Sequence, residues 1–352
     1  MRKSDSGSRR LPLAALALAC SSALAADIDP GLLAAAQRDD GVDVLIVLPD
    51  QATPTLAPLA LDANYLARRR ALVHALQARA AAQQSPLHAW LTSHGIEHRA
   101  YWIANVIQAH LSAADLATLS GRPDVAKIEA DPRIAAALPH PDAAARRPAS
   151  IDSIAWGVAK INAPAVWAAG FNGQGVVIGG EDTGYQWDHP ALKSHYRGWN
   201  GSVADHNYNW HDAIHDSSGN PCGNDSPAPC DDYGHGTHTA GTFAGDDGAS
   251  HQIGVAPGAK WIGCRNMDDG DGTPARYIEC MQWMLAPTDL AGQNPEPDLA
   301  PDVISNSWGC IPSEGCTAGN EISAAVRNLV AGGIFYVAAA ANDGPDCGSI
   351  TD

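Results

Sequence analysis

Basic residues are scarce in this sequence, and so are long apolar runs. Lys and Arg number 22 against 39 Asp and Glu, for a net charge of −17. An acidic surface repels phosphate and anionic lipid, and no Lys/Arg patch is dense enough for a nucleic-acid face. Beyond the N-terminus no stretch of about twenty apolar residues occurs, which excludes an internal membrane-spanning helix. No two cysteines have the Cys-x-x-Cys spacing, so the usual structural zinc arrangements are missing. No repeat or low-complexity tract occurs beyond one short linker. Hydrophobic residues make up 45% of the chain and charged residues 17%, which excludes global disorder. A length of 352 residues suits two domains, or one large domain with a smaller companion.

Arg2, Lys3, Arg9 and Arg10 form a basic head, followed by a short apolar run over Leu11–Ala19. Ala23-Leu24-Ala25 then fits the small-x-small cleavage rule, so residues 1–25 read as a secretory signal. Cys20 raises a lipoprotein alternative, against which Ala17 stands where a lipobox has Leu. An exported chain can keep disulfides. Seven cysteines follow the cut. Cys222–Cys230 and Cys310–Cys316 suit local bridges, connectivity stays open, and the odd count leaves one thiol over, with Cys347 the candidate.

Residues 26–138 read as a small α+β unit. Asp43–Leu48 is a strand by its β-branched content. Tyr65–Gln84 has helical spacing, and Ser85-Pro86 is read as the cap of a second helix that stops before Gly95. Strands follow around Arg99–Trp102 and Asn105–Leu111. Ser112 to Asp115 makes a capping box for a short helix, and Val125–Ala130 is a last strand. The order β-α-β-β-α-β is the ferredoxin-like split βαβ arrangement. Residues 139–150 form a Pro-, Ala- and Arg-rich linker.

Residues 151–352 alternate strand and helix. Strands are expected at Val176–Ile178, Lys260–Arg265, Val303–Ile304 and Ile334–Ala338, the last inside the sheet. Thr273-Pro274 caps a helix to Leu285, and Asn320 caps another to Val330. This alternation predicts a doubly wound α/β domain with a parallel sheet and helices on both faces. Ligands bind such sheets at the carboxyl ends of the strands. Those ends carry Asp182-Thr183-Gly184, Ser305 to Gly309, and Ala341-Asn342-Asp343-Gly344, while His235 sits at a loop-to-helix junction. An Asp, a His and an amide on one rim suit nucleophilic acyl chemistry.

Other readings of these residues are weaker. Asp182 alone could be a turn residue, and Asn-Asp-Gly readily forms turns. His235-x-x-His238 is not the i, i+4 pair of a zinc helix. Asp268 to Gly272 fails the EF-hand pattern, and structural calcium is not legible in the sequence. His206, His211 and His215, beside Asp212 and Asp216, could hold a metal, but a hydrogen-bonded loop fits better. Asn200-Gly201-Ser202 and Asn224-Asp225-Ser226 are glycosylation sequons by pattern only.

From about Ile154 onward the chain resembles the subtilisin-like serine proteases, the subtilase family, of the bacillopeptidase F type. The resemblance rests on Trp156-Gly157-Val158 with Lys160 to Pro164, on Asp182-Thr183-Gly184 followed by Asp188-His189-Pro190, and on His235-Gly236-Thr237-His238. Asn306-Ser307-Trp308-Gly309 and Asn342 extend it. It implies Asp182 and His235 as catalytic residues in the subtilisin order, and Asn342 as oxyanion donor. It implies Ser307, Trp308 and Gly309 as the substrate-binding segment, and Asp268 to Gly272 as a surface loop near the cleft. Residues 26–138 resemble the inhibitory propeptide of these proteases. Peptide or protein substrates, an intramolecular propeptide partner, a secreted location and no cofactor for the chemistry follow as expectations. Two departures accompany it. Ala341 stands where many relatives have Gly, and no Gly-Thr-Ser nucleophile motif occurs, so a fragment without activity of its own is expected. The rivals are an inactive peptide-binding or protease-inhibiting product, and a metallohydrolase built on His206 to His215.

Overall fold

The computed structural model describes residues 26–28, 30–51, 64–135, 154–249, 251–311, 315–342 and 344–350. The expected signal segment and the 139–150 linker lie outside the described residues.

The N-terminal unit contains β1 (Asp27–Ile28), α1 (Pro30–Arg38), β2 (Val42–Val47), α2 (Tyr65–Ser93), β3 (His98–Tyr101), β4 (Val106–Leu111), α3 (Ala113–Ser120) and β5 (Lys127–Ala130). Its sheet runs β1-β5-β2-β4-β3, antiparallel except for β1 beside β5. Val44 to Val47 are all buried, so β2 is covered on both faces. Side chains alternate across a strand, which sends Val44 and Ile46 into one cluster with Leu87, Leu91, Leu116 and Leu119. Leu45 and Val47 enter a second cluster that also holds Ile278, Met281 and Leu329. The two units therefore share one apolar core.

The capping box at α3 is present: Asp115 N donates to Ser112 Oγ at 3.2 Å, and Ser112 N donates to the Asp115 carboxylate at 3.2 Å. The break expected at Ser85-Pro86 is not. α2 is continuous with Pro86 inside it. An interior proline costs a helix about 3 kcal/mol. The buried stripe Val73, Leu76, Ala80, Gln84, Leu87 and Leu91 keeps its three-to-four spacing through the proline, and burial of Leu87 and Leu91 offsets that cost. β1 and α1 carry no signal that sequence reasoning picked up.

The rest of the chain comprises β6 (Ile134–Ala135), α4 (Trp156–Lys160), α5 (Ala163–Ala168), β7 (Val177–Asp182), β8 (Trp210–Asp212), α6 (His235–Ala244), β9 (Lys260–Arg265), β10 (Met267–Asp268), β11 (Asp271–Gly272), α7 (Pro274–Leu285), β12 (Val303–Asn306), α8 (Gly319–Ala331) and β13 (Phe335–Ala338). Five strands form a parallel sheet in the order β13-β12-β7-β9-β8, as the alternation predicts. α7 covers one face, where Gly179 lies against Met284. Ala240 and Ala244 of α6 pack with Tyr185 and Trp261 on the other. Among the described residues β13 is an edge strand rather than an interior one, pairing with β12 alone. Thr273 caps α7, its side chain accepting from Arg276 N. The α8 cap is Ala318, and Asn320 lies inside the helix.

Disulfides join Cys222–Cys230, Cys264–Cys280 and Cys310–Cys316, and Cys347 is free and exposed. The Cys264–Cys280 bridge, from β9 to α7, was not expected from the sequence. No helix among the described residues is long and apolar enough to cross a membrane.

Polar bonds tie the two units along α7 and α8. Tyr101 OH donates to Glu279 Oε2 at 2.9 Å, Trp102 N donates to Gln282 Oε1 at 2.6 Å, and Asn328 Nδ2 donates to the Ile103 carbonyl at 2.6 Å. Ala275 N, in the first turn of α7, donates to Asp131 Oδ1 at 2.8 Å. An acidic group at a helix N-terminus satisfies an otherwise open amide.

Candidate active site

β7 ends on Asp182 and α6 begins on His235. His235 Nδ1 lies 2.6 Å from Asp182 Oδ1. An ionised carboxylate only accepts, so Nδ1 is the donor and Nε2 is left to take up a proton. Asp182 is buried, its side chain 2% exposed, and is further held by Thr183 N at 2.8 Å and Thr239 Oγ1 at 3.2 Å. Burial pushes the Asp182 carboxyl up from its ordinary value, opposed by the bonds from His235 and Thr183. Burial alone would lower the imidazole pKa. The hydrogen bond and charge of Asp182, with Asp231 adding to the negative field, outweigh that and leave His235 raised.

Two glycines bring the strand end and the helix start together. A Cβ on Gly236 would sit 2.0 Å from the Gly184 carbonyl oxygen and 3.0 Å from Asp182 Cβ. Gly184 has φ +108°, and a Cβ there would meet the Cys230 carbonyl oxygen at 1.8 Å. Only glycine fits at either position.

Asp231 is a positioning residue that sequence reasoning missed. Its Oδ1 accepts from Thr183 Oγ1 at 2.8 Å, Gly234 N at 2.7 Å and Tyr233 N at 3.1 Å. Its Oδ2 accepts from Thr237 N at 2.9 Å and Thr237 Oγ1 at 2.5 Å. One carboxylate thus binds the turn after β7 to the first turn of α6. Its spacing four residues before His235 is the signal that could have found it.

Arg265, at the end of β9, is fully buried. It holds Asp212 through Nε and Nη2, each at 2.8 Å, and reaches Asp232 Oδ2 at 3.2 Å, Asn220 Oδ1 at 3.4 Å and the Gly223 carbonyl at 2.5 Å. The segment that carries Cys222–Cys230 and leads into Asp231 is thereby fixed.

Ser307, Trp308 and Gly309 follow β12, the neighbour of β7. Trp308 is buried and stacks on Tyr277 of α7, with ring centroids 3.9 Å apart and planes 10° apart. The same apolar cluster contains Met267 and Ile134. β6 pairs antiparallel with β11, Ile134 opposite Gly272 and Ala135 opposite Asp271. The chain just past β5 therefore adds a strand to the β10–β11 hairpin. Asp268 in that hairpin is buried, which corrects the expectation of a surface loop.

Asn342 lies exposed four residues past β13, on the same carboxyl rim of the sheet. Ala341 before it has φ +63°, a left-handed backbone that costs a non-glycine residue about 1 kcal/mol.

His211 and His215 turn to Glu279 of α7, at 2.9 and 3.0 Å from its Oε1, and His215 Nδ1 meets Asp225 at 2.6 Å. His206 instead faces Tyr196 OH at 3.0 Å. No group of three or more His, Cys, Asp or Glu among the described residues is arranged to hold a metal ion.

Residues 173–351 match the model of the subtilase family, peptidase S8. The chain belongs to the subtilase family. This subtilase is 44% identical to Bacillopeptidase F of Bacillus subtilis (strain 168) over 162 residues, 45% of this chain and 11% of that protein. It is 30% identical to the major intracellular serine protease of the same organism over 194 residues, 55% of this chain and 51% of that one. The subtilase chain thus spans about half or less of the length of these two relatives. In fold it is similar to the epidermin leader peptide processing serine protease of Staphylococcus aureus, with a TM-score of 0.54 at 13% identity, over 86% of this chain and 61% of that one.

Proposed function

We propose that the chain belongs to the precursor of a secreted serine endopeptidase working through an Asp-His-Ser triad, of which it carries Asp182 and His235. Residues 1–25 direct export, residues 26–138 are an inhibitory propeptide with a ferredoxin-like core, and residues 151–352 carry the catalytic acid and base. The observation that carries the reading is the 2.6 Å bond from His235 Nδ1 to buried Asp182 in a chain of this family. In the reaction, His235 Nε2 takes the proton of the serine hydroxyl as it attacks the peptide carbonyl, then gives it to the leaving amine. Asp182 keeps the ring in the needed tautomer and favours the imidazolium. Asn342 donates to the oxyanion, a contact of about 3 kcal/mol where such a donor is removed. Ser307 to Gly309 and the β10–β11 hairpin flank an extended substrate, for which β6 stands in. No cofactor enters these steps. Three disulfides suit an oxidising compartment.

The test is casein hydrolysis by the secreted gene product. Activity blocked by a serine-directed phosphonate is expected, with Asp182→Asn and His235→Ala each lowering turnover by about 10⁴ while leaving the fold intact. Retention of more than about a tenth of the activity by either variant, or inhibition by chelators instead of the phosphonate, overturns the proposal.

A further inference from the structure

We infer that the groove selects peptides with a basic residue immediately before a buried aliphatic one, through a cation receptor built on Asp268. The inference rests on the peptidase reading above and names its substrate class.

The chain's own segment Arg133-Ile134-Ala135 occupies the groove. Its backbone adds to β11, a mode of binding that is blind to sequence, so specificity falls to side-chain pockets. Ile134 fills one of them, 1% exposed, in the cluster of Met267, Tyr277 and Trp308. The residue before it, Arg133, sends Nη2 to Asp268 Oδ2 at 3.0 Å, with Nε 3.9 Å from Asp271 Oδ2.

Asp268 is a prepared acceptor. Its side chain is 6% exposed, and its other oxygen is fixed by Ser217 Oγ at 2.9 Å and by Asn220 Nδ2. Asn220 is itself anchored, accepting from Cys222 N at 2.7 Å and from Arg265. Among the described residues the ion pair to Asp268 comes from Arg133, while Arg276 is engaged by Asp216 at 2.5 Å. Everything that orients Asp268 belongs to the catalytic unit, so the receptor persists when the 133–135 segment leaves. A carboxylate whose other oxygen is already held in place attracts a cation more strongly than a mobile surface charge. Arg133 is 58% exposed, so the pair stays sensitive to salt.

The experiment compares peptides Xaa-Ile-Ala with Arg, Lys, Ala or Glu at Xaa. Hydrolysis is measured with the secreted protease, and binding to its His235→Ala variant by fluorescence polarisation. Arg and Lys should exceed Ala by about tenfold in kcat/KM and in affinity, and Glu should fall below Ala. Asp268→Asn should bring the Arg/Ala ratio close to one in both kcat/KM and affinity. The ratio should also shrink between 50 and 500 mM salt, roughly a threefold shortening of the screening length, and this decides the matter if Asp268→Asn does not fold. Equal handling of Arg and Ala, or a ratio unchanged in Asp268→Asn, overturns the inference. Absence of hydrolysis together with Arg-selective binding overturns the peptidase reading and leaves the receptor standing.

Discussion

Gly236→Ala introduces one methyl group and alters no reacting atom. The new Cβ would lie 2.0 Å from the Gly184 carbonyl oxygen, whereas carbon–oxygen contacts are normally above 3 Å. The start of α6 must therefore withdraw from the end of β7 by about 1 Å, because the obstacle is backbone and cannot rotate away. The Asp182–His235 bond, 2.6 Å in the native protein, opens by a comparable amount. Overpacking of this kind costs about 1–3 kcal/mol of stability, and a 1 Å displacement of a catalytic group costs about 100-fold in rate. Two assays separate these effects. Urea unfolding reads the stability. NMR titration of the His235 ring reads the bond, and needs no turnover. With Asp182 withdrawn, the raised pKa of His235 should fall, because burial of the ring is then opposed mainly by the weaker field of Asp231. A variant with native stability and an unchanged His235 titration would refute the claim that Gly236 sets the distance between strand and helix.

Asp131→Asn tests a pH effect at the contact between the units. Burial against α7 raises the Asp131 carboxyl to about 7, against the opposing bond from Ala275 N. A raised carboxyl means the docked form holds its proton more tightly. The contact is therefore strongest near pH 4 and weakens as pH rises through about 7. Hydrogen exchange in β3 and β4, corrected for intrinsic rates, should speed up across that range in the native protein and stay flat in Asp131→Asn; identical profiles would count against it. Replacing both Cys222 and Cys230 by Ser reopens a loop with a sequence separation of 8. That should cost about 2–3 kcal/mol in urea unfolding, and unchanged stability would show that the Arg265 contacts alone hold the segment.

The pairing of Asp182 with His235 was legible because each partner lies in a short local motif. Asp182-Thr183-Gly184 and His235-Gly236-Thr237 each carry one partner and the small residue that lets it approach the other. The caps at Ser112 and Thr273 were legible for the same reason, since cap and partner are three residues apart. The misreadings involve distant partners. Pro86 reads as a helix start until the packing of Leu87 and Leu91 is known. Asp268 resembles part of a surface acidic run until Ser217, Asn220 and Arg133 are seen around it. His211 and His215 were read as a hydrogen-bonded loop, but their partner Glu279, 68 and 64 residues away, was not legible. Cys264 and Cys280 lie on a strand and a helix that only the crossover brings together.

Arg265 meets the 212–232 segment at its first strand, in its middle and next to its end, through Asp212, Asn220, Gly223 and Asp232. The segment is therefore spoked to a hub rather than strung between two ends. A deletion before Asn220 shifts two spokes at once. Lysine cannot serve as the hub, since a single ammonium has three donors and no planar fork. In any exchange of this segment between related proteins, the transferable unit is the whole stretch together with Arg265, which lies outside it in the sequence. Moving the stretch alone would carry Asp212 and Asp232 into a buried site without their counter-charge.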